Sequence, residues 1–481
     1  MSRRAAQVSP ATRLTHLALA ALVGLVLLPM PARTATTPPA TRRAAHPTRP
    51  PAKQILPVWP EGTEVVRFEN VEGVLLIKVG LRGANGVDTS GVVALDTGAG
   101  FLALDRELAQ RLGLSDSVAP HSSIHLAERA LPRFSIGRFE MDQVSPVLIV
   151  DGRVVRRVTD RPVLGLLGQR PIGLRAIWID FDTNTMALVP VTDRARHASD
   201  AADVRAFASE EISHRVESSR RSLPGLLGAR ARAIPFQLAG DGKIVVRAHL
   251  ANPRLPELSG ALNLIVDTGA TKTVLFEDSL ANLVRGSGEW PALRGLTVPT
   301  LVGNSDAHVA LVPALELEAD SGSVRQLGVD VVVLRTELSH ALSSVTGLPI
   351  HGLLGSGFLQ RYRVVIDYPA RVLWLTARSA RIAGRPYEYS HVGLQLERWD
   401  AALRVVAVAE GSPAARAGIS VGDEIVSVNG LAVRGGQSGR VAPDVGRVTR
   451  LLEGPPGTRV ILTVRHAGTV RTYRLIRRRL L

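Results

Sequence analysis

Val92-Val93-Ala94-Leu95-Asp96-Thr97-Gly98-Ala99 and Leu264-Ile265-Val266-Asp267-Thr268-Gly269-Ala270 are the two stretches on which the reading of this chain turns. Each is a short apolar run of strand type that ends in Asp-Thr-Gly-Ala. A further strand-like run precedes each, Glu72-Gly73-Val74 to Val79 in the first case and Asp241-Gly242-Lys243 to Ala248 in the second. Downstream, Val163-Leu164-Gly165-Leu166-Leu167-Gly168 precedes Ile177-Trp178-Ile179-Asp180-Phe181, and Ile350-His351-Gly352-Leu353-Leu354-Gly355 precedes Val364-Val365-Ile366-Asp367-Tyr368. From the first Gly of that motif to the Asp is 15 residues in both copies. Three landmarks in the same order identify an internal duplication. Each copy consists of β-branched runs broken by Gly, Pro, Asn and Asp, which predicts a mainly β lobe. One helix per copy is expected, the first over Leu104 to Leu112 with Asp105 as its N-cap.

A strand that delivers Asp-Thr-Gly into a tight turn places a carboxylate where two such turns can meet. Gly permits close approach of the second turn, and the Thr hydroxyl can bond the backbone opposite. Two carboxyls facing each other do not both ionise cheaply and share a proton. The ionised member then takes a proton from water, while the protonated member polarises a peptide carbonyl.

With these residues the chain resembles the retropepsin-like aspartic proteases over roughly residues 64 to 378. The family's apolar run with Asp-Thr-Gly-Ala matches Asp96 to Ala99 and Asp267 to Ala270. Its later apolar-apolar-Gly motif matches Leu166-Leu167-Gly168 and Leu353-Leu354-Gly355. The resemblance implies two acid-protease β-barrel lobes forming a single-chain pseudodimer. It implies Asp96 and Asp267 as the catalytic pair, supported by Thr97, Gly98, Thr268 and Gly269. Ala99 and Ala270 stand where pepsin-like enzymes carry Ser or Thr, so the pair is expected to be less acidic, with an optimum at mildly acidic to neutral pH. Flap candidates are the segment around His121 to Arg133 and Val302 to His308; no flap residue is assigned. Asp180 and Asp367 are expected to cap the turns after their strands.

Composition bounds the rest. A chain of 481 residues argues for about three domains. Hydrophobic residues at 45% against 21% charged exclude wholesale disorder. The net charge of +15 suggests nucleic acid until it is placed. Residues 1–53 carry eight Arg or Lys and no acid, and Arg465 to Leu481 carry six Arg and no acid. The stretch between is close to neutral, so no nucleic-acid partner is expected. Basic ends instead suggest peripheral association with an anionic membrane. Cysteine is absent, which removes disulfides, a thiol nucleophile and zinc-thiolate sites. His121, His125, His308 and His351 lack metal-ligand spacing, and neither a metal nor a cofactor is expected. Gly355-Ser356-Gly357 lacks the outer Gly of a nucleophile elbow, and Gly240-Asp241-Gly242-Lys243 lacks the spacing of a phosphate loop.

Arg3, Arg4 and Arg13 precede an apolar segment, Leu14 to Leu28, of signal-peptide length. Residues 1–32 are read as a cleaved signal peptide or an uncleaved anchor, and the protein as exported to the periplasm or envelope. Residues 33–63 form a Pro/Thr/Arg-rich tether. The first lobe is placed at 64–192, an exposed connector with some helix at 193–232, and the second lobe at 233–380.

Residues 386–481 differ in composition. Gly411-Ser412-Pro413-Ala414-Ala415-Arg416-Ala417-Gly418-Ile419, Gly422-Asp423-Glu424-Ile425 and Val428-Asn429-Gly430 resemble, in order, the helix and turns of a bacterial protease-associated PDZ domain, an α+β module. The resemblance implies peptide binding beside Gly393, Leu394, Gln395 and Leu396 by strand addition. The expected activity is that of a cofactor-free aspartic endopeptidase acting on protein or peptide substrates as a monomer. The alternative is a non-catalytic envelope scaffold that binds peptides through the PDZ groove.

Overall fold

The computed structural model describes residues 57–114, 124–191, 209–250, 260–278, 290–300, 303–378, 387–433 and 445–481. The apolar segment 14–28, residues 33–56 of the tether and His121 lie outside the described residues. No helix among the described residues is long and apolar enough to cross a membrane.

The two copies of the repeat follow one path. In the first, Val74–Arg82 pairs antiparallel with Asp88–Leu95, which hands the chain to Asp96. Val163–Leu167 lies parallel to Asp88–Leu95, with Ala94 opposite Leu166, and antiparallel to Leu102–Asp105. Leu102–Asp105 is in turn parallel to Val147–Val150. In the second, Lys243–Leu250 pairs antiparallel with Gly260–Asp267. Gly352–Gly355 lies parallel to Gly260–Asp267, with Val266 opposite Leu354, and antiparallel to Thr273–Phe276, itself parallel to Ser323–Leu334. These central strands are buried on both faces, which is why they read as continuous apolar runs rather than alternating ones.

The downstream ends of the copies join in one sheet. Arg175–Asp180 pairs antiparallel with Tyr362–Asp367, Ile177 facing Ile366. Thr185–Pro190 and Glu64–Val71 extend the sheet on one side, and Val372–Ala377 and Arg232–Pro235 on the other. One apolar core runs through both copies, from Phe68 to Leu375. Asp180 and Asp367 cap their turns as expected. Asp180 Oδ1 accepts from the Asp182 amide at 2.8 Å, and Asp367 Oδ1 from that of Ala370 at 3.1 Å.

The described part of the connector, 209–232, is less exposed than its composition suggests. Its helix, Ser209–Ser222, lays Val216 against Trp178 and Trp374 of the joining sheet. Ser219 is fully buried, donating to Asp367 Oδ2 at 2.5 Å and accepting from Trp374 Nε1 at 2.8 Å. The expected helix near Leu104 is shorter, Arg106–Arg111, because Leu102–Asp105 is drawn into the sheet. Asp105 caps it through the Glu107 amide.

The C-terminal module has its own core, built from residues such as Val392, Leu403, Ile425, Val448 and Leu462. Leu394–Trp399, Ala402–Val408, Glu424–Val428, Arg459–His466 and Thr469–Ile476 form its sheet in that order. Pro413–Arg416 is helical and capped by Ser412; Val445–Leu452 is the second helix. The basic C-terminal run is not a loose tail. Arg465 pairs with Glu424, and Arg477 is buried, donating to the carbonyls of Leu451 and Leu452 at the end of that helix.

Candidate functional site

Each Asp-Thr-Gly turn leaves its strand fully buried, and the two meet face to face. Thr97 Oγ1 donates to the Val266 carbonyl at 2.9 Å and accepts from the Thr268 amide at 3.0 Å. Thr268 Oγ1 does the reverse, donating to the Leu95 carbonyl at 2.9 Å and accepting from the Thr97 amide at 3.1 Å. Four reciprocal bonds thus tie the turns together and satisfy backbone groups that would otherwise be buried without partners.

The glycines fix how close the carboxyls come. A Cβ on Gly98 would stand 2.6 Å from Asp267 Cγ, and one on Gly269 would stand 2.7 Å from Asp96 Cγ. Any side chain there would push the turns apart. The inner oxygens are held by the backbone: Asp96 Oδ1 accepts from Gly98 and Ala99, both at 3.0 Å, and Asp267 Oδ1 from Gly269 at 2.8 Å and Ala270 at 3.1 Å. The outer oxygens, Asp96 Oδ2 and Asp267 Oδ2, are buried and take no bond from any group outside the pair.

Burial raises the pKa of both carboxyls. At Asp96 it is opposed by Asp267, by the Lys243 ammonium and by the turn amides. Asp267 is pushed well above the usual carboxylate range, by burial first and then by the charge on Asp96. The arrangement therefore favours one proton shared by two carboxyls.

The apolar-apolar-Gly strands stand behind the turns. A Cβ on Gly168 would lie 2.3 Å from the Phe101 carbonyl oxygen, and one on Gly355 would lie 2.1 Å from that of Lys272. The residue after each glycine escaped the reading of the sequence. Gln169 Nε2 donates to the Thr97 carbonyl at 2.5 Å, and Ser356 Oγ to the Thr268 carbonyl at 3.0 Å. Their signal was position, since both directly follow the second motif. Lys243 was also missed as a neighbour of the pair. Among the described residues no group of three or more His, Asp or Glu side chains gathers as metal ligands would.

Both flap candidates lie partly outside the described residues, the first at His121 and its neighbours and the second at Val302. Gly303 to His308 of the second falls on the strand Gly303–Glu318, which pairs antiparallel with Ala292–Thr300, Thr300 opposite Gly303. This hairpin reaches the C-terminal module.

Residues 404–466 match the family model of the PDZ domain. The C-terminal module is a PDZ domain. The chain is also 35% identical, over 80 residues, to the carboxy-terminal processing protease CtpA of Bacillus subtilis (strain 168), an alignment covering 17% of this chain and 16% of that protein. It thus spans about a sixth of that relative's length. Among solved structures it is similar to the PDZ domain of a carboxy-terminal protease from Vibrio cholerae in complex with peptide, at 24% identity. That match covers 19% of this chain and 94% of the other, with a TM-score of 0.15. An aspartic proteinase from Irpex lacteus is similar at 11% identity, over 67% of this chain and 99% of that one, with a TM-score of 0.39.

The segment Gly393 to Leu396, beside which the sequence led us to expect peptide, contacts the hairpin. Gly393, at φ +87°, has no room for a side chain, since a Cβ would meet that of Ser412 at 2.1 Å. Its amide donates to His391 Nδ1 at 2.9 Å. Leu394 and Leu396 are buried. Gln395 clasps the Thr297 backbone from both sides, its Nε2 donating to the carbonyl at 2.6 Å and its Oε1 accepting from the amide at 3.2 Å. Leu293, Leu296 and Val309 of the hairpin roof a cavity of about 90 Å³ whose floor includes Leu394, Leu396 and Leu452.

Proposed function

We propose that the chain is an aspartic endopeptidase whose two lobes form a single-chain pseudodimer, with Asp96 and Asp267 as its catalytic pair and the PDZ domain as its peptide-binding accessory. The observation that carries this reading is the pair of outer oxygens that no group outside the pair engages, on turns brought together by glycines that leave no room for a side chain. A water held between those oxygens gives up a proton to the ionised carboxylate and attacks the peptide carbonyl carbon. The protonated carboxyl donates to the carbonyl oxygen, giving a tetrahedral diol. Collapse of the diol breaks the C–N bond as a proton passes to the leaving nitrogen. The Thr97/Thr268 lattice keeps both carboxyls in place without reorganisation.

Ala99 and Ala270 are buried and bring no hydroxyl to the carboxylates. With both pKa values raised, the singly protonated pair persists toward neutral pH, and a mildly acidic to neutral optimum is expected. A pH–rate profile peaking near pH 2, the range of strongly acidic pairs, overturns that expectation.

The decisive experiment measures cleavage of a peptide library by wild type, Asp96→Asn and Asp267→Asn. Loss of at least about 10²-fold in each variant, with the melting transition retained, supports the dyad. Activity that survives either substitution rules it out. A wild-type protein that binds peptides and cleaves none favours the scaffold alternative.

A further inference from the structure

Gly240-Asp241-Gly242-Lys243 has no phosphate-loop spacing, and the fold gives its lysine another setting. Lys243 is fully buried, a position that is costly for an ammonium without partners. It donates to the Gly98 carbonyl at 2.8 Å, within the turn that carries Asp96. It also pairs with the Asp241 carboxylate, at 3.2 Å to one oxygen and 3.3 Å to the other. Asp241 packs on the same loop, since a Cβ on Gly100 would stand 2.2 Å from its Oδ2. Arg170 Nε donates to the Asp241 carbonyl at 3.2 Å.

The duplication supplies an internal control. Leu76 pairs with Ala94 and Val245 with Ile265, each partner two residues before its Asp. By that register Val74 is the counterpart of Lys243 and Glu72 the counterpart of Asp241. The first copy lays its turn against the opposite loop in the same way, Gly73 packing on Thr271. Where the second copy puts an ammonium, the first puts the buried apolar Val74. The two aspartates share matching amide donors, and at this register the lysine gives Asp96 a cation where the Asp267 side has none.

Resting on the dyad reading above, we propose that Lys243 is a positioning residue that holds the Asp96 turn through the Gly98 carbonyl and makes Asp96 the standing carboxylate, leaving Asp267 to carry the shared proton. Asp96 is then the general base and Asp267 the general acid. The charged groups around Asp96 are Asp267 and Lys243, with Asp241 and Arg170 behind the lysine. Burial raises Asp96, but the Lys243 charge opposes it, while the charge on Asp96 drives Asp267 further up.

The test compares pH profiles of kcat/KM for peptide cleavage in wild type, Lys243→Met, Lys243→Arg and Asp241→Asn. The acid limb reports ionisation of the base in the free enzyme. Loss of the cation should move that limb up by about one pH unit with KM little changed. Loss of the lysine's counter-charge should move it down, and Lys243→Arg, which keeps the charge, should restore the wild-type limb. Mere structural damage lowers kcat without moving the limb. Identical limbs in wild type, Lys243→Met and Asp241→Asn overturn the proposal. If Lys243→Met does not fold, the direction of the Asp241→Asn shift decides alone. A readout free of turnover follows the carboxyl ¹³C shifts of Asp-labelled full chain against pH, where the lower step of the pair should rise in Lys243→Met. A dyad that titrates so but cleaves no peptide sinks the protease reading and leaves this one standing; cleavage with unmoved limbs does the opposite.

Discussion

At the scale of single residues, Thr97 and Thr268 use one hydroxyl each as donor and acceptor at once. Thr97→Val keeps the shape and removes both roles, stranding the Thr268 amide and the Val266 carbonyl. The expected cost is about 2–5 kcal/mol, read from denaturant unfolding, while Thr97→Ser should cost less than half of that. The dyad itself makes a second prediction. Both carboxyls have folded-state pKa values above their unfolded ones, so the folded protein holds extra proton and loses stability as pH rises from about 4. Asp267→Asn removes one titrating partner. Its melting temperature should exceed that of wild type at pH 8, and the gap should close toward pH 4; an equal gap at both pH values refutes it. The meeting of the two Asp-Thr-Gly turns was legible in the sequence because the motif recurs with matching flanks. Lys243 and Gln169 were not, because their meaning lies in contacts to Gly98 and Thr97, 145 and 72 residues away.

At the scale of elements, the strand pairs behind the turns were legible because apolar runs ending in Gly recur at matching distances. Their tightness was not. The computed 2.1 Å between a Cβ on Gly355 and the Lys272 carbonyl oxygen leaves backbone, not a flexible side chain, to give way. Gly355→Ala should therefore displace the loop after Asp267, with cleavage falling at least about tenfold while the PDZ domain still binds peptide. The helix Ser209–Ser222 shows the opposite error. Its many charges read as an exposed connector, yet the narrow stripe of Val216 and Ser219 is what packs on the joining sheet. A polar residue such as Ser219 gives no hydrophobic signal, and its bonds to Asp367 and Trp374 are long-range.

At the scale of the molecule, the PDZ domain packs on the second copy, and two of the described contacts are ones that composition does not announce. The first is a partly buried ion cluster around one buried lysine. Lys272, in the loop after Asp267, contacts Asp330 of its own copy, and Glu388 and Tyr389 at the entrance to the PDZ domain. Burial opposes the charge on Lys272, but Asp330, Tyr389 and Glu388 outweigh it and raise its pKa. Lys272→Met removes the cation that the two half-buried acids share and should cost about 1–3 kcal/mol. The second is the Gln395 clasp on Thr297, with Leu293 and Leu296 roofing the groove. If peptide adds beside Leu394–Trp399 as the proposed function has it, it must displace that roof, and its apparent affinity is scaled down to the fraction of molecules in which the hairpin has moved away. Leu296→Asp opens the roof without altering any PDZ residue. In an Asp96→Asn background, where a probe should survive, a fluorescein-labelled peptide ending in Leu-Leu should bind Leu296→Asp about tenfold more tightly by anisotropy, a difference of ~1.4 kcal/mol. Gln395→Ala should act in the same direction, since it releases two hydrogen bonds worth about 1 kcal/mol each. Equal affinities in all three proteins would mean that peptide and hairpin do not compete, and that the groove is entered from a side the hairpin leaves open.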